Sequence, residues 1–347
     1  MNLDFLNELL LTPSVSGHEE AAQQKILAYT KPFSHRQQCD ATGNVLSILN
    51  PESPCKVLLC GHIDEIGFIV THVQENGMLR LAAAGGVRPA LYIGAPVQIV
   101  HEGNSVPGVV AVMPSLLKSE AVKAKDLVVD IGASSREEAL QHVAIGDPVC
   151  ADTTVRKLLG ENISARALDD RSGAFVIVEA MRRAAEKKAA AGIYAATTVG
   201  EETTGRGAYY AASQVKPSCA IIVDVTWVSD TPETDPADTG DIRLGAGPVL
   251  CLSSIVNKPM NRRLQKLAEK YQIPVQWEIA PGGTSSDADT VNKTGIGVPV
   301  ALVSIPLRYM HSSVEIANLR DLEGAIQLIS EFLLSMDESF SYSPISV

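Results

Sequence analysis

The sequence predicts an α/β fold in which a helix-covered sheet is interrupted by a smaller β-rich block. Three observations carry this. Helical and strand-like patterns alternate toward both ends of the chain, as they do where a sheet has helices on both faces. Between about Val70 and Asn162 the chain instead strings together short β-like runs parted by turn residues. The length, 347 residues, leaves room for two domains at roughly 150 residues each. The simplest division is a main domain from 1–69 and 163–347, with 70–162 inserted into it.

In chain order, the leucine-rich segment Leu3 to Leu11 reads as a helix that Pro13 ends. Ser16 stands three residues ahead of Glu19, the spacing of a capping box, and the apolar positions Ala22, Ile26 and Leu27 follow. A second helix is expected there. From Asn44 the period changes: Val45 to Leu49 and Lys56 to Cys60 are short apolar runs bounded by Pro and Gly, and the second reads as a buried strand. The runs of the middle block are Met78 to Leu81, Ala95 to Val100, Gly108 to Met113, Asp126 to Ile131 and Pro148 to Cys150, with a weak helix near Ser135 to His142. Beyond it come a helical stretch, Ser172 to Ala190, strands Ile193 to Val199 and Ala220 to Val225, and a helix Asn261 to Tyr271. A strand, Val298 to Ser304, and a long amphipathic helix, Leu319 to Ser335, complete the pattern. The Asp/Thr/Pro-rich stretch Ser229 to Asp241 reads as an exposed connection.

Composition removes several classes. A hydrophobic content of 46% supports a large core and excludes disorder. No apolar run approaches the roughly 20 residues of a membrane helix, and Met1-Asn2-Leu3-Asp4 starts no secretory signal, so a soluble, unexported chain without a membrane partner is expected. Lys and Arg number 29 against 40 Asp and Glu, a net charge of −11 that would repel a nucleic acid backbone. The six cysteines form no CxxC pair and read as reduced, mostly buried thiols.

The acids and histidines at strand ends carry the chemistry, because open α/β sheets bind ligands beyond the carboxyl ends of their strands. His62 and Asp64 lie two apart and project to one side of an extended chain. The imidazole can bind a metal while the carboxylate accepts its other N–H and sets the tautomer. Alone, such a pair is better explained by a solvated strand end with a chance His. Asp169-Asp170, just before a helical run, could be N-terminal capping, which accounts for one carboxylate. Asp169 bridging two metal ions, with Asp170 as cap or orienting partner, uses both. Glu201 and Glu202 end a strand and repel unless one binds a cation or holds a proton. Glu202 then reads as a metal ligand and Glu201 as the base that takes a proton from an activated water and passes it to the leaving group; an exposed acidic turn is the plainer reading of an isolated pair, but less so of one at a strand's carboxyl end. Asp224 interrupts a continuous apolar strand and must either hydrogen-bond locally or ligate a cation. His311, by itself an ordinary loop histidine, completes a set of two histidines and three carboxylates that suits two zinc-like ions sharing one Asp. The remaining histidines, His18, His35, His72, His101 and His142, read as surface or structural. Asp287 either pairs with Arg308 or belongs to a plain turn.

The segments GHIDEIGF, ALDDRSG, VGEETTGRGA, VDVT and IPLRYMHSSVE, in that order and over nearly the whole chain, resemble the signature segments of the M42 metallopeptidases, the glutamyl and tetrahedral aminopeptidase group. The resemblance implies a zinc-peptidase-like mixed sheet flanked by helices, with an inserted small β-barrel-like domain. It implies two divalent metal ions, zinc or cobalt: one held by His62, Asp169 and Asp224, the other by Asp169, Glu202 and His311. Glu201 would be the general base, and Asp64 would orient His62. It further implies a cytoplasmic homo-oligomer, assembled from dimers into a dodecamer, that removes N-terminal residues from short peptides. One departure is the insertion of Ser285 and Ser286 between Gly282-Gly283-Thr284 and Asp287, so neither a role for Asp287 nor a residue preference carries over.

Rival readings differ in cheap ways. A related metal-dependent deacylase or carboxypeptidase is separated by comparing N-blocked with free-amine peptides. An endoglucanase would use two carboxylates flanking a sugar bond, for which Glu201 and Glu202 could be proposed, but it needs neither His62 nor His311 and survives chelation. A non-catalytic assembly protein would be marked by loss of Glu201, which is present.

Overall fold

The computed structural model describes residues 1–119, 121–232 and 234–345. The run Lys56 to Cys60 extends as a strand to His62 and lies near the middle of an eight-stranded sheet. Its side chains explain the position: Val57 and Leu59 enter one core while Leu58 and Cys60 enter the other. A strand covered on both faces needs apolar residues at every position rather than at alternate ones. Across the sheet the strands run Arg36–Cys39, Val45–Leu49, Gly192–Thr198, Lys56–His62, Cys219–Trp227, Val300–Leu307, Val249–Ser253 and Gln276–Ala280. The four from Gly192–Thr198 to Val300–Leu307 are mutually parallel, whereas their outer neighbours Val45–Leu49 and Val249–Ser253 pair antiparallel, so the sheet is mixed. Parallel alignment puts the carboxyl ends of the central strands on one edge.

Helices cover both faces. Leu3–Leu11, Leu168–Glu186 and Leu319–Leu334 pack into the larger core, and Arg206–Val215 and Asp287–Val291 into the smaller one. The helix Arg206–Val215 is not expected from the sequence, because its buried face is only Gly207, Ala208, Ala211, Ala212 and Val215, while Tyr209 and Tyr210 point outward. Such a helix has small residues where the pattern normally shows Leu or Ile. The strands Arg36–Cys39, Val249–Ser253 and Gln276–Ala280, at or next to the sheet's edges, also escape the sequence reading; the edge strand Arg36–Cys39 carries only one apolar residue, and the other two are only five residues each.

The middle block folds as a closed six-stranded barrel: Gly67–Val73, Leu79–Ala84, Val128–Asp130, Asn104–Val110, Pro96–His101 and Pro148–Ala151. Phe68, Val70, Leu79, Leu81, Val97, Ile99, Val110 and Val129 fill it. The first strand, Gly67–Val73, crosses position 70, where the sequence pattern places the start of the block. Ser135 accepts a hydrogen bond from the Glu138 N–H at the head of a short helix, Arg136–Ala139. A separate three-stranded sheet, Arg156–Lys157, Asn162–Ala165 and Glu315–Asn318, lies where the chain returns to the main sheet.

Two local expectations are corrected. No capping box forms at the second helix: it starts at Glu20, with Glu19 carrying no side-chain cap bond, and the Ser16 hydroxyl donates instead to Asp64. Arg308 does not pair with Asp287. It grips Asp230 with two hydrogen bonds of 2.9 and 2.7 Å, which ties the acidic Ser229–Asp241 stretch to the body of the protein. Five of the six free cysteines are buried and Cys39 is exposed. Among the described residues, no helix is long and apolar enough to cross a membrane.

Candidate metal centre and reaction cavity

Each predicted site residue leaves the carboxyl edge of the central sheet or a segment beside it. His62 is the last residue of its strand, and Asp64 follows two positions later. Glu201 and Glu202 occupy the turn after Gly192–Thr198, Asp224 lies inside Cys219–Trp227, and His311 lies in the loop after Val300–Leu307. Asp169 and Asp170 open the Leu168–Glu186 segment with non-helical backbone, so both side chains swing out of the helix proper. Gly61 permits this approach: a Cβ there would lie 2.7 Å from the Gly173 and Ala174 backbone. The helix start therefore presses onto the strand end, and Asp170 accepts the His62 N–H at 3.2 Å and the Gly173 N–H at 2.9 Å. Asp170 thus serves as cap and as orienting partner together.

The two histidines converge on one carboxylate. His62 Nε2 is 3.1 Å from Asp169 Oδ1, and His311 Nε2 is 3.3 Å from Asp169 Oδ2. Glu202 Oε2 lies 3.5 Å from His311 Nε2, and Glu201 Oε2 lies 3.9 Å from His62 Nε2. On its other side, His62 Nδ1 faces Asp64, 3.1 Å from the backbone oxygen and 3.4 Å from Oδ1. Asp64 is itself fixed, accepting the Glu201 N–H at 3.1 Å, the Glu202 N–H at 3.3 Å and the Ser16 hydroxyl. Ligand atoms of His62, Asp169 and Glu202 lie within 4.8 Å of one another, as do those of His62, Asp170 and Asp224. In the second group Asp170, rather than Asp169, stands with Asp224 around His62, because its carboxylate is drawn to the His62 N–H.

Electrostatics identify what the cluster is built to hold. Burial and the neighbouring Asp169 push the Glu202 carboxyl up to about 10. Burial likewise carries Asp224 and Asp170 well above the usual carboxylate range. For His62, burial opposes protonation, but hydrogen bonds to Asp169 and Asp64 outweigh it and raise the imidazole well above its ordinary value. For Asp169, burial opposes ionisation, yet His311 and His62 hold it well below the usual range. Crowded carboxylates that resist ionisation need cations, and among the described residues the cavity wall offers neither Lys nor Arg. Glu202 Oε1 is buried without a hydrogen-bond partner among the described residues, a cost that a bound cation removes. Carboxylate oxygens and imidazole nitrogens are the donor set of zinc and cobalt sites. The residues present therefore fit divalent metal ions.

Three participants were not singled out by the sequence. Glu315, fully buried, accepts the Asp169 N–H at 3.1 Å and the His311 N–H at 2.8 Å, positioning a carboxylate and an imidazole at once. Gly86, at the barrel's edge, places its carbonyl 3.2 Å from His311 Nδ1. Ser16 holds Asp64. The one available signal was an acid opening the short apolar pair Ile316-Ala317; the other two contacts join segments far apart in the chain. Asp287 is also buried, accepting the Thr198 hydroxyl at 2.7 Å, and burial beside Glu201 pushes it up to about 7. The site opens into a cavity of about 400 Å³ whose wall continues through Val225, Thr226, Trp227, Glu278 and Met310.

The chain as a whole is similar to known peptidases. The chain is 36% identical to a putative aminopeptidase of Acetivibrio thermocellus, over 94% of this chain and 97% of that one. A TET aminopeptidase from the marine sediment archaeon Thaumarchaeota archaeon SCGC AB-539-E09 superposes with a TM-score of 0.90 at 30% identity, covering 97% of this chain and 98% of that one. The TET1 peptidase of Pyrococcus horikoshii, described as assembling into a tetrahedron or a large octahedral shell, superposes with a TM-score of 0.86 at 31% identity over 96% and 99% of the two chains. The family model for the M42 glutamyl aminopeptidases matches residues 43–328, and the chain, a peptide-bond hydrolase on a mixed α/β sheet with a closed barrel, belongs to that family.

Proposed function

We propose that the protein is a two-metal aminopeptidase that releases the N-terminal residue of short peptides. The observation that carries the reading is the placement of the His62 and His311 nitrogens against the two oxygens of Asp169, at 3.1 and 3.3 Å. His62, Asp169 and Asp224 would hold one ion, and Asp169, Glu202 and His311 the other, with zinc or cobalt as the metal. Such ions, when bound, lower the pKa of water and polarise a carbonyl oxygen.

The chain's own residues supply the rest. Glu201 is the carboxylate of the set with the greatest reach into the cavity, its side chain 19% exposed, and burial raises its pKa above the ordinary value. A raised carboxylate beside the scissile bond takes a proton from water and returns it to the departing amine. Asp64 fixes the His62 ring so that Nε2 points into the site. The surplus of acids over bases favours the free ammonium of a substrate over a blocked terminus. The barrel block, 70–162, is read as an inserted domain, and the protein as a cytoplasmic homo-oligomer built from dimers, up to a dodecamer. The oligomer is supported by the shells described for the Pyrococcus horikoshii peptidase and by Leu91, Val109, Val112, Leu117, Leu140 and Ile145, apolar residues exposed on the barrel block.

The test is a panel of free-amine and N-acetylated aminoacyl chromogenic substrates, assayed after chelation and after zinc or cobalt add-back. Free-amine substrates should be cleaved, chelation should abolish turnover, and add-back should restore it. Cleavage that survives chelation, or that favours blocked substrates, would overturn the reading.

A further inference from the structure

The cavity holds one acid that the metal cluster does not use. Glu278 sits in the strand Gln276–Ala280, and Thr226 Oγ1 donates to its Oε1 at 2.7 Å; its other oxygen has no hydrogen-bond partner among the described residues. Thr226 is two residues beyond Asp224 on one strand, so both side chains face the same side, about 6.6 Å apart along the chain. Glu278 therefore stands one long side chain away from the metal cluster. The cavity wall also includes Met310, and among the described residues neither Lys nor Arg lines it. Arg88 lies over the Trp227 ring at 5.8 Å but is not among the lining residues.

Resting on the aminopeptidase reading above, we propose that Glu278 selects the first residue of the substrate and that the preferred substrates begin with lysine or arginine. An aliphatic stem lies along the cavity wall past Thr226 and Met310, and its cationic head pairs with the free oxygen of Glu278 while Thr226 holds the other. Lysine and arginine carry this combination of apolar stem and charged tip. Small or branched residues fall short of Glu278, and an acidic residue meets like charge. A charged hydrogen bond of this kind, shielded inside a cavity, discriminates by about 1.5–3 kcal/mol, or roughly ten- to a hundredfold.

The experiment compares kcat/KM for lysyl, arginyl, norleucyl, leucyl and glutamyl p-nitroanilides with the metal-loaded wild type, Glu278→Gln and Glu278→Lys. Norleucine matches the lysine stem without its charge. In the wild type, lysyl should exceed norleucyl at least tenfold and glutamyl should be the poorest. The lysyl-to-norleucyl ratio should fall at least tenfold in Glu278→Gln, and Glu278→Lys should favour glutamyl over lysyl. A wild-type ratio near one, or a ratio that Glu278→Gln leaves in place, overturns the inference; the wild-type comparison decides the matter even if a variant misfolds. Chelator-sensitive cleavage of norleucyl substrate with no lysyl preference would leave the aminopeptidase reading standing while this one falls. Failure to cleave any member of the panel would remove both.

Discussion

At the scale of single residues, the strand-end histidines and acids were readable because a charged or metal-binding side chain at the end of a buried apolar strand has few structural reasons to be there. Asp224, which follows five consecutive buried apolar residues from Cys219 to Val223, is the sharpest case. Glu315, Ser16 and Gly86 were not readable, because each acts through a contact across the fold: Glu315 on Asp169 lies 146 residues away, and Gly86 on His311 lies 225 away. The Asp230 partner of Arg308 was hidden in the same way, in a loop whose composition suggested only solvent. Glu201 gives the residue-scale prediction. In Glu201→Gln the metal content, read by elemental analysis, should match the wild type, and turnover should drop at least a hundredfold, since general-base catalysis contributes about 10²–10⁴-fold. Near-normal kcat with metal retained would remove Glu201 from its role.

At the scale of elements, the long periodic segments gave clear signals and the atypical ones did not. Leu3–Leu11 and the Leu319–Leu334 helix follow their apolar pattern closely. The helix Arg206–Val215 keeps the helical spacing but builds its buried face mostly from Gly and Ala, and the polar strand Arg36–Cys39 has no apolar pattern, so neither stood out. The joint between sheet and barrel was also invisible in the sequence, although it is among the most polar parts of the interior. Glu65, directly after Asp64, accepts hydrogen bonds from Arg166, from Arg171 at 2.6 Å and from the Ser14 N–H at 2.9 Å, and all three side chains are buried. Arg171 also binds the Leu9 carbonyl at 2.7 Å, so one acid locks the first helix, the barrel junction and the metal-bearing segment together. Removing the acid strands two buried guanidinium groups. Glu65→Ala should lower unfolding free energy by about 3–5 kcal/mol, seen as a shift of the denaturant midpoint, and a change under about 1 kcal/mol would show that the network is not structural.

At the scale of the whole molecule, charge and surface act together. A net charge of −11 keeps single copies apart by repulsion, so stable association must come from localised apolar contacts such as those exposed on the barrel block. Light scattering should report an assembly of at least two 36.9 kDa chains, and larger multiples as salt screens the repulsion. A particle of single-chain mass at all salt concentrations would contradict the oligomer proposed here.

The corner at Gly86 has a consequence for modular evolution and engineering. A Cβ there would lie 2.8 Å from the His311 ring, and the same residue's carbonyl faces that ring's outer nitrogen. Exchange of the insertion between relatives is therefore constrained at this seam as well as at the buried Glu65 junction. A transplanted module that brings any side chain to the seam would jam the imidazole, whereas one that keeps a bare backbone and its oxygen there would be tolerated.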